Sequence, residues 1–460
     1  MRRSCRSIIR TSGAILATAL LAASGFAQDQ TAAAHPAMAH LKAYVEVFNA
    51  AIQGQMKAFY ATHLADQAAK EIPIEQRLTR FRSAKAQLKS LEIQRTITDQ
   101  PHFAAVLAKA GNGEFLLIKA TSEKTSPYML LSLSLELVDD PNNIVAPDPK
   151  ANEKELLAAV RGLLEAQTKA DQFSGVVLLA KDLQVLFHEA YGFSDRDKKV
   201  PNKKDTKFNL GSINKIFTRV AVYQLARQGR LSLDDPIKKF LPDYPNAQAA
   251  EKVVIRQLLN MTSGIGDFFG ERYDATPKEK IRTLQDYLPL FAGQPLEFEP
   301  GTSNKYSNGG YIVLGLIIEK VSGVDYYTYV RQNIFKPCGM LDTDAFPRDG
   351  NTPNLASGYT LPKDGGPRVV NLATLPGRGS SAGGGYSTAA DMLKFVLALK
   401  DQKIFLPDVA SGVGIAGGAP GINSVVEWDP RTGYCVIVLT NFDPPTAGET
   451  ARRIKSWLPQ

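Results

Sequence analysis

A polar, proline-rich segment near residue 140 divides the sequence into two parts with different patterns. Residues 139–149 read Asp-Asp-Pro-Asn-Asn-Ile-Val-Ala-Pro-Asp-Pro. Proline lacks a backbone donor and favours extended backbone, so a run of this composition is typical of a linker between domains. A chain of 460 residues is long enough for two domains. We therefore predict an N-terminal domain over 28–140, a linker over 141–150 and a C-terminal domain over 151–460.

The N-terminal part changes from a helical pattern to a strand pattern. His35-Pro36 opens one predicted helix, and another is predicted over 74–91. Four alternating segments follow, with Gly111-Asn112-Gly113 as a hairpin turn. The predicted strands cover residues 93–98, 103–108, 114–121 and 128–138. Helices followed by an antiparallel meander indicate an α+β domain. Its order resembles the NTF2-like cone, which implies an accessory module, one that encloses a ligand, or one that forms a dimer.

The first 27 residues have the three parts of an export signal. A basic start, Met1–Arg10, precedes an apolar run from Ala14 to Ala23, and Gly25-Phe26-Ala27 offers small residues for cleavage. We therefore expect a signal peptide over 1–27 and a periplasmic or secreted protein. Since no later stretch of 18 apolar residues occurs, we expect no transmembrane segment in the mature chain.

The charge and cysteine content exclude some function classes. The net charge is +8, but four arginines and no acidic residue lie in the signal segment. The remaining chain is mildly basic and has no Lys/Arg stripe interleaved with aromatics, so we predict no nucleic-acid partner. Cys338 and Cys435 remain after cleavage. We expect two buried thiols, and a disulfide between them stays open on sequence grounds.

Ser212 and Lys215 form the strongest chemical pattern in the C-terminal part. They start a predicted helix over 212–228 that Gly229 closes. Residues three apart share a helix face, so the Lys215 amine reaches the Ser212 hydroxyl. A lysine desolvated among apolar groups loses its proton and serves as a base for a serine nucleophile, and a helix N-terminus favours a bound oxyanion. The pair therefore indicates acyl transfer.

Histidine placement argues against the main alternatives. All five histidines lie at or before residue 188. The sequence Gly-Ser-Ser-Ala-Gly at 379–383 matches a nucleophile elbow, but its fold needs a later histidine, so we predict a glycine-rich turn. Gly412-Val-Gly-Ile-Ala-Gly417 matches a dinucleotide fingerprint without the strand, turn and helix context, so we predict a backbone turn there too. No metal-ligand spacing is present, and we predict neither metal nor cofactor.

Seven landmarks in a fixed order resemble the serine β-lactamase and penicillin-binding-protein-like hydrolases, in particular the class C and family VIII esterase branch. They are Ser212-x-x-Lys215, Leu258-Leu-Asn-Met-Thr-Ser-Gly264, Phe298-x-Pro-Gly301, Tyr306-Ser-Asn308, Gly339-Met340, Gly383-Gly-Gly-Tyr-Ser-Thr388 and Gly417-Gly-Ala-Pro-Gly421. The resemblance covers about residues 150–460. It implies an α+β, β-lactamase/transpeptidase-like domain with an antiparallel sheet, flanking helices and a helical subdomain.

The resemblance also implies roles for individual residues. Ser212 would be acylated with Lys215 as its base, and Tyr306 would move the proton to the leaving group and later activate water. Asn308 would orient Lys215 and the substrate. We expect the Tyr306 turn to precede a helix over 312–321, and we expect the Lys215 cation to lower the pKa of the Tyr306 phenol. Backbone N–H groups of Ser212 and Gly418 would form the oxyanion hole next to Gly417.

The sequence departs from the family at three places. Ile415-Ala416-Gly417 stands where the family has a basic residue followed by Thr, Ser or Ala and Gly, so the usual anchor for a substrate carboxylate is missing. Met261 stands where histidine is usual. The short spacing from Phe395 to Ile415 leaves less chain for a sheet edge and pocket wall. We therefore predict an exported hydrolase of neutral esters or small amides rather than a β-lactamase, and a non-catalytic ligand-binding or envelope scaffold protein is the alternative.

Overall fold

The computed structural model describes residues 35–50, 53–138, 152–362 and 366–459. The predicted signal peptide and linker lie outside the described residues. The chain separates between residues 140 and 141 into two compact units. Each unit is described by itself.

The N-terminal unit packs helices against one four-stranded antiparallel sheet, whose strands are ordered β1-β2-β3-β4. Its helices are α1 (Pro36–Ala50), α2 (Gln53–His63), α3 (Asp66–Glu71) and α4 (Ile74–Leu88), and its strands are β1 (Leu91–Gln100), β2 (Phe103–Ala110), β3 (Phe115–Ser122) and β4 (Leu130–Val138). Alternate residues of β2, such as Ala104 and Val106, join α1 residues such as Leu41 and Phe48 in a single apolar cluster. The sheet therefore buries one face against the helices.

Local backbone geometry explains where the prediction for this unit succeeds and fails. Gly113 has a φ of +94° in the turn between β2 and β3, as the predicted hairpin requires. The helix predicted to reach residue 91 instead ends at Leu88. Lys89 has a φ of +65°, which stops the helix, and Leu91 already pairs with Ala110 in the sheet. The NTF2-like assignment stays a prediction.

The C-terminal unit is built on a five-stranded antiparallel sheet in the order β13-β14-β15-β5-β6. These strands are β5 (Gly175–Lys181), β6 (Gln184–Tyr191), β13 (Val413–Ala419), β14 (Ile422–Trp428) and β15 (Tyr434–Thr440). The last strands of the chain therefore pair with the first strands of the unit, and β15 lies beside β5. β13 forms one edge of this sheet.

The other elements of this unit connect the sheet to its helical layers. The remaining strands are β7 (Phe193–Asp195), β8 (Val200–Pro201), β9 (Phe208–Asn209), β10 (Tyr359–Thr360), β11 (Val369–Val370) and β12 (Tyr386–Ser387). The helices are α5 (Glu153–Lys169), α6 (Asn214–Arg227), α7 (Ala247–Lys252), α8 (Ile255–Leu259), α9 (Glu271–Ala275), α10 (Leu288–Phe291), α11 (Asn308–Ser322), α12 (Tyr326–Val330), α13 (Ala389–Lys400) and α14 (Thr446–Trp457).

Both faces of the large sheet are covered. On β5, Leu178 belongs to the larger apolar cluster, which also contains the buried residues of α6 and α11. Val177 belongs to a second cluster with α5 and α14. Alternate residues of a strand point to opposite faces, so this split gives a three-layer arrangement of helices, sheet and helices. The structure confirms the predicted α+β class with an antiparallel sheet flanked by helices.

Three short segments differ from the prediction. A 3₁₀ turn over Gly211–Ile213 precedes α6, so Ser212 lies in that turn and Lys215 in the α-helix. The helix predicted from residue 312 begins earlier, at Asn308, because the Ser307 hydroxyl caps it by accepting the Gly310 N–H at 2.9 Å. The segment 412–417, predicted as a turn, is mostly strand β13, since it pairs along its length with β14.

Within the described part of the chain, no helix is both long and apolar enough to cross a bilayer. Cys338 and Cys435 are free thiols, and Cys338 is only partly buried.

Candidate active site

Ser212 lies between an amine and a phenol. The Lys215 Nζ atom is 3.3 Å from Ser212 Oγ, and the Tyr306 hydroxyl is 2.5 Å from the same oxygen. Ser212 and Lys215 are brought together by local helical geometry, whereas Tyr306 arrives from a loop 94 residues later. The structure therefore assembles the three residues predicted to be catalytic around one hydroxyl.

Burial changes the chemistry of Lys215. Its side chain is 6% exposed, and this desolvation lowers the pKa of the amine to about 7. The negative charge of Asp267 opposes the effect and raises the pKa. A substantial fraction of Lys215 is thus neutral near pH 7, as a general base requires.

The hydrogen-bond partners of Lys215 fix where its lone pair is available. Besides Ser212, the amine contacts Asn308 Oδ1 at 2.7 Å and the carbonyl oxygen of Ala382. Both of these oxygens only accept hydrogen bonds, so a neutral amine donates its two N–H groups to them. The lone pair then remains for the hydroxyl proton of Ser212. Of the three groups that contact the amine, Ser212 is therefore the one that can transfer a proton to it.

Tyr306 has the opposite electrostatic behaviour from the one predicted. The pKa of its phenol is raised, chiefly by burial, while the hydrogen bond with Ser212 lowers it and the Asp267 carboxylate raises it. The expectation of a lowered pKa for Tyr306 is wrong, because burial of the phenol is the largest influence and raises the pKa. Tyr306 therefore stays protonated and donates its hydrogen bond to Ser212 Oγ. It is suited to act as an acid.

Asp267 is a residue of this site that the sequence did not single out. Its Oδ2 atom accepts the Asn308 side-chain N–H at 2.7 Å and the Asn308 backbone N–H at 3.3 Å. Because Asp267 binds the side-chain nitrogen of Asn308, the side-chain oxygen of Asn308 is directed toward Lys215. Asp267 follows the landmark ending at Gly264 by three residues, and that spacing was the available signal.

The glycine-rich turn at 379–383 also supports the site. It is a turn, as predicted, with Ser380 and Gly383 bridging each other. Its carbonyls bind α6: Ser380 accepts from Asn214 at 2.9 Å, Ser381 accepts from Thr218 at 2.7 Å, and Ala382 accepts from Lys215. The turn therefore holds the helix that carries Lys215.

Met261, which departs from the family pattern, holds the loop of Tyr306. Its carbonyl accepts the Lys305 N–H at 3.0 Å, and its sulfur accepts the Ser307 N–H at 3.4 Å. Its φ is +61°, a conformation that costs a side chain about 1 kcal/mol or more. The residues on either side of Tyr306 are thus both hydrogen-bonded to Met261, whose backbone is strained.

β13 approaches the serine turn so closely that only glycine fits. A Cβ on Gly417 would lie 2.7 Å from the Ser212 nitrogen, and a Cβ on Gly211 would lie 2.9 Å from the Gly418 nitrogen. Gly211 also has a φ of +52°. The predicted substrate-binding residues Gly417 and Gly418 therefore lie beside Ser212. Their role as an oxyanion hole stays a prediction.

The sheet edge is present despite the short spacing before Ile415. β13 pairs with β14 from Val413 to Ala419, and this strand supplies both the edge and part of the pocket wall. Ile415 itself is partly buried and packs against the larger apolar cluster. The position that would carry a cation in the family is here a partly buried apolar side chain that packs against the core.

A cavity of about 740 Å³ opens at Ser212. Ser212, Tyr306, Asn308 and Gly418 contribute to its lining. Aromatic residues contribute much of the rest of the wall, namely Phe268, Phe269, Tyr273, Tyr287, Phe346 and Tyr386. The cavity is therefore large enough to hold a group considerably bigger than acetyl. Among the described residues, no cluster of three or more His, Cys, Asp or Glu could hold a metal ion.

An antiparallel sheet with helices on both faces, and a serine, lysine and tyrosine around one hydroxyl, define a serine hydrolase of the β-lactamase and penicillin-binding-protein type. The family model described as Beta-lactamase matches residues 160–411, which is more than half of the chain. The chain belongs to the beta-lactamase family.

Sequence and structure comparisons agree with this assignment. A penicillin-binding protein of Bacillus subtilis (strain 168) is 35% identical over 188 residues, which cover 40% of this chain and 41% of that relative. The chain thus spans about two fifths of the length of this relative.

Two solved structures are similar to about two thirds of the chain. The penicillin-binding protein from Bacillus halodurans is 30% identical with a TM-score of 0.59, covering 64% of this chain and 100% of that one. The D-amino acid amidase from Ochrobactrum anthropi SV3 is 25% identical with a TM-score of 0.56, covering 66% and 98%.

The lowered pKa of Lys215 predicts a pH profile. Because the amine must lose its proton to act as a base, kcat/KM for an ester should rise with pH through about 7. The raised pKa of Tyr306 places loss of its proton above the ordinary tyrosine value of about 10. Initial rates across pH 5–10, with folding checked by circular dichroism, measure this. A rise centred near 10 would contradict a neutral Lys215.

Asp267→Asn should move that profile. Removing the carboxylate removes the influence that raises the pKa of Lys215, so the rise in kcat/KM should shift to lower pH. The maximum rate should change less, since the substituted amide still offers an oxygen that can accept the Asn308 N–H. Asp401→Asn, an exposed carboxylate at the end of α13, is the matched control. An unchanged pH profile in Asp267→Asn would show that the carboxylate does not influence the base.

Two glycines of β13 provide a matched pair. Gly417→Ala should push the strand away from Ser212 and lower kcat/KM by about 10²-fold, the loss typical of a misplacement near 1 Å. Gly414→Ala, on the same strand with open space at its Cβ, should have little effect. Equal activities of the two variants would mean that the contact of β13 with the serine turn is irrelevant to catalysis.

Proposed function

We propose that this protein hydrolyses an ester or a small amide through a covalent acyl-serine intermediate. The observation that carries the proposal is the position of Ser212 Oγ between two groups. One is the Lys215 amine, whose pKa is lowered to about 7, and the other is the protonated Tyr306 phenol. Membership of the beta-lactamase family supports the reaction class. The similarity to a D-amino acid amidase supports substrates other than β-lactams.

Acylation begins at Ser212. Its Oγ forms a bond to the carbonyl carbon of the substrate while its proton moves to the Lys215 lone pair. The carbonyl oxygen becomes an oxyanion, which the backbone N–H groups of Ser212 and Gly418 stabilise. One such donor contributes about 3–4 kcal/mol to transition-state stabilisation. The carbon–oxygen or carbon–nitrogen bond to the leaving group then breaks.

Tyr306 completes both halves of the reaction. It gives its proton to the leaving oxygen or nitrogen, and the proton held by Lys215 restores the phenol. In deacylation a water molecule attacks the acyl carbon and loses its proton to the same pair, and a proton returns to Ser212 Oγ as the acid leaves. The products are the acid and the alcohol or amine, and no cofactor takes part.

The substrate preference follows from β13. Ile415 is an apolar side chain that packs against the core and presents no cation, so the family's anchor for a carboxylate next to the reacting carbonyl is missing. We therefore expect esters or small amides rather than β-lactams. Export of the chain to the periplasm or outside the cell, and association through the N-terminal unit, are further parts of this proposal that rest on the sequence alone.

A fluorophosphonate probe tests the nucleophile. The wild type should be labelled, and Ser212→Ala should lose the label completely, because the probe reacts only with an activated serine. Ser380→Ala, a serine in the same cavity, is the matched control and should retain the label. A wild type that is folded but unlabelled would favour the alternative of a non-catalytic binding or scaffold protein.

Two chromogenic substrates test the substrate preference of enzyme that has not been treated with the probe. The untreated wild type should hydrolyse p-nitrophenyl pentanoate and should turn over nitrocefin much more slowly. Comparable kcat/KM values for both would refute the argument from Ile415, although the acyl-serine mechanism would stand.

A further inference from the structure

Two arginines lie in the wall of the Ser212 cavity without a carboxylate partner. Arg348 and Arg378 both contribute to the lining, and both side chains are partly buried. Neither guanidinium forms an ion pair with any residue in the described part of the chain, in contrast to Arg282, Arg331 and Arg368 of the same unit. Arg348 does lower the pKa of Asp349, and Arg378 that of Asp325, but neither carboxylate lies within ion-pair distance of the arginine. The two guanidinium groups are therefore without a direct carboxylate contact in the cavity wall.

The backbone fixes both arginines in place. Arg348 Nη1 donates to the carbonyls of Leu372 at 3.1 Å and Leu375 at 3.0 Å. Arg378 Nε donates to the carbonyl of Ala345 at 2.7 Å, and its guanidinium lies 3.6 Å from the Tyr327 ring centre. Each guanidinium has five N–H donors, so these contacts leave several unused.

The same wall is held together by backbone hydrogen bonds. Arg348 N–H donates to Gly377 at 3.0 Å, Gly377 N–H donates to Lys278 at 2.7 Å, and Arg378 N–H donates to Ile281 at 3.3 Å. Three separate stretches of chain thus meet where the arginines lie. The cations are prearranged before a ligand binds, which reduces the entropy cost of binding.

The other charged groups of the cavity do not cancel this charge. Lys278 adds a third cation, although its amine is used by three carbonyls of the preceding turn, Tyr273, Asp274 and Thr276. Asp274 is the carboxylate in the lining. The nearby Asp349 binds Arg282, and Asp286 accepts the backbone N–H groups of Arg282 and Thr283. Three cations and one anion give the lining a positive balance.

We propose that Arg348 and Arg378 bind an anionic group, a carboxylate or a phosphate, on the part of the substrate away from the reacting bond. A cleft lined by one sign of charge attracts the opposite sign, and guanidinium groups suit oxyanions of this kind. The inference rests on the proposed acyl transfer at Ser212 and deepens it. It replaces the expectation of a neutral substrate, and it places the anion at residues other than position 415.

A pair of esters of equal chain length tests this site. The p-nitrophenyl monoester of glutaric acid has a free carboxylate where p-nitrophenyl pentanoate has a methyl group. The wild type should prefer the glutarate ester in kcat/KM by about tenfold or more, as expected for one charge-assisted contact. Higher ionic strength should reduce this preference.

The variants assign the preference to residues. Arg348→Gln should reduce it by about tenfold with little change for the pentanoate ester, and Arg348→Lys should restore part of it. Arg378→Lys, which keeps the charge beside Tyr327, tests the second arginine with less risk to folding. Arg431→Gln is the control, since Arg431 is 87% exposed in a turn between β14 and β15. Inorganic phosphate, added as a competitor, should inhibit the wild type more than Arg348→Gln if phosphate is the preferred group.

The outcomes separate this inference from the proposed function. If Ser212 is labelled and pentanoate is hydrolysed, but the glutarate ester has no advantage and phosphate does not inhibit, the anion site is overturned and the hydrolase stands. An advantage that persists unchanged in Arg348→Gln and Arg378→Lys would likewise overturn it. If Ser212 is not labelled at all, the proposed function itself fails.

Discussion

The site depends on a buried amine whose two N–H groups are already used. Asn308 Oδ1 and the Ala382 carbonyl occupy the donors of neutral Lys215, and the lone pair is left for Ser212. This arrangement sets the direction of proton transfer before a substrate arrives. Every supporting contact described above serves it: Asp267 orients the amide, the turn at 379–383 supplies the carbonyl, and Met261 holds the loop of the phenol. Burial lowers the pKa of the Lys215 amine and raises the pKa of the Tyr306 phenol. The surroundings therefore stabilise the neutral form of both groups, which suits one as a base and the other as an acid.

The sequence predicts the parts of this site that depend on short-range geometry. Ser212 and Lys215 lie three residues apart at the start of a helix, so their contact follows from helical spacing alone. The order of the landmarks predicts the fold because the resemblance covers the entire C-terminal unit. The strands of the hairpins are predicted because their turns contain glycine at positions such as Gly113, where φ is positive.

Contacts across long stretches of chain could not be predicted in the same way. The Ala382 carbonyl lies 167 residues from Lys215 and has no sequence signature, since any residue has a carbonyl. The direction of the pKa shift of Tyr306 was wrong because burial decides it, and burial is a property of the folded chain. Segment 412–417 was predicted as a turn from its glycines, yet Gly417 is required because β13 approaches the serine turn closely there. Glycine marks close backbone contact as well as turns.

The burial of Lys215 also has a thermodynamic consequence for the whole unit. An unfolded chain binds the lysine proton up to pH about 10.5, whereas the folded chain releases it near 7. Between these values the unfolded state holds more protons, so this residue makes folding more favourable as pH rises and least favourable below about 7. Each unit of pKa difference corresponds to about 1.4 kcal/mol. The apolar core around α6 must therefore outweigh a penalty of several kcal/mol at neutral and acidic pH, and the enzyme's reactivity is maintained at the expense of its own conformational stability.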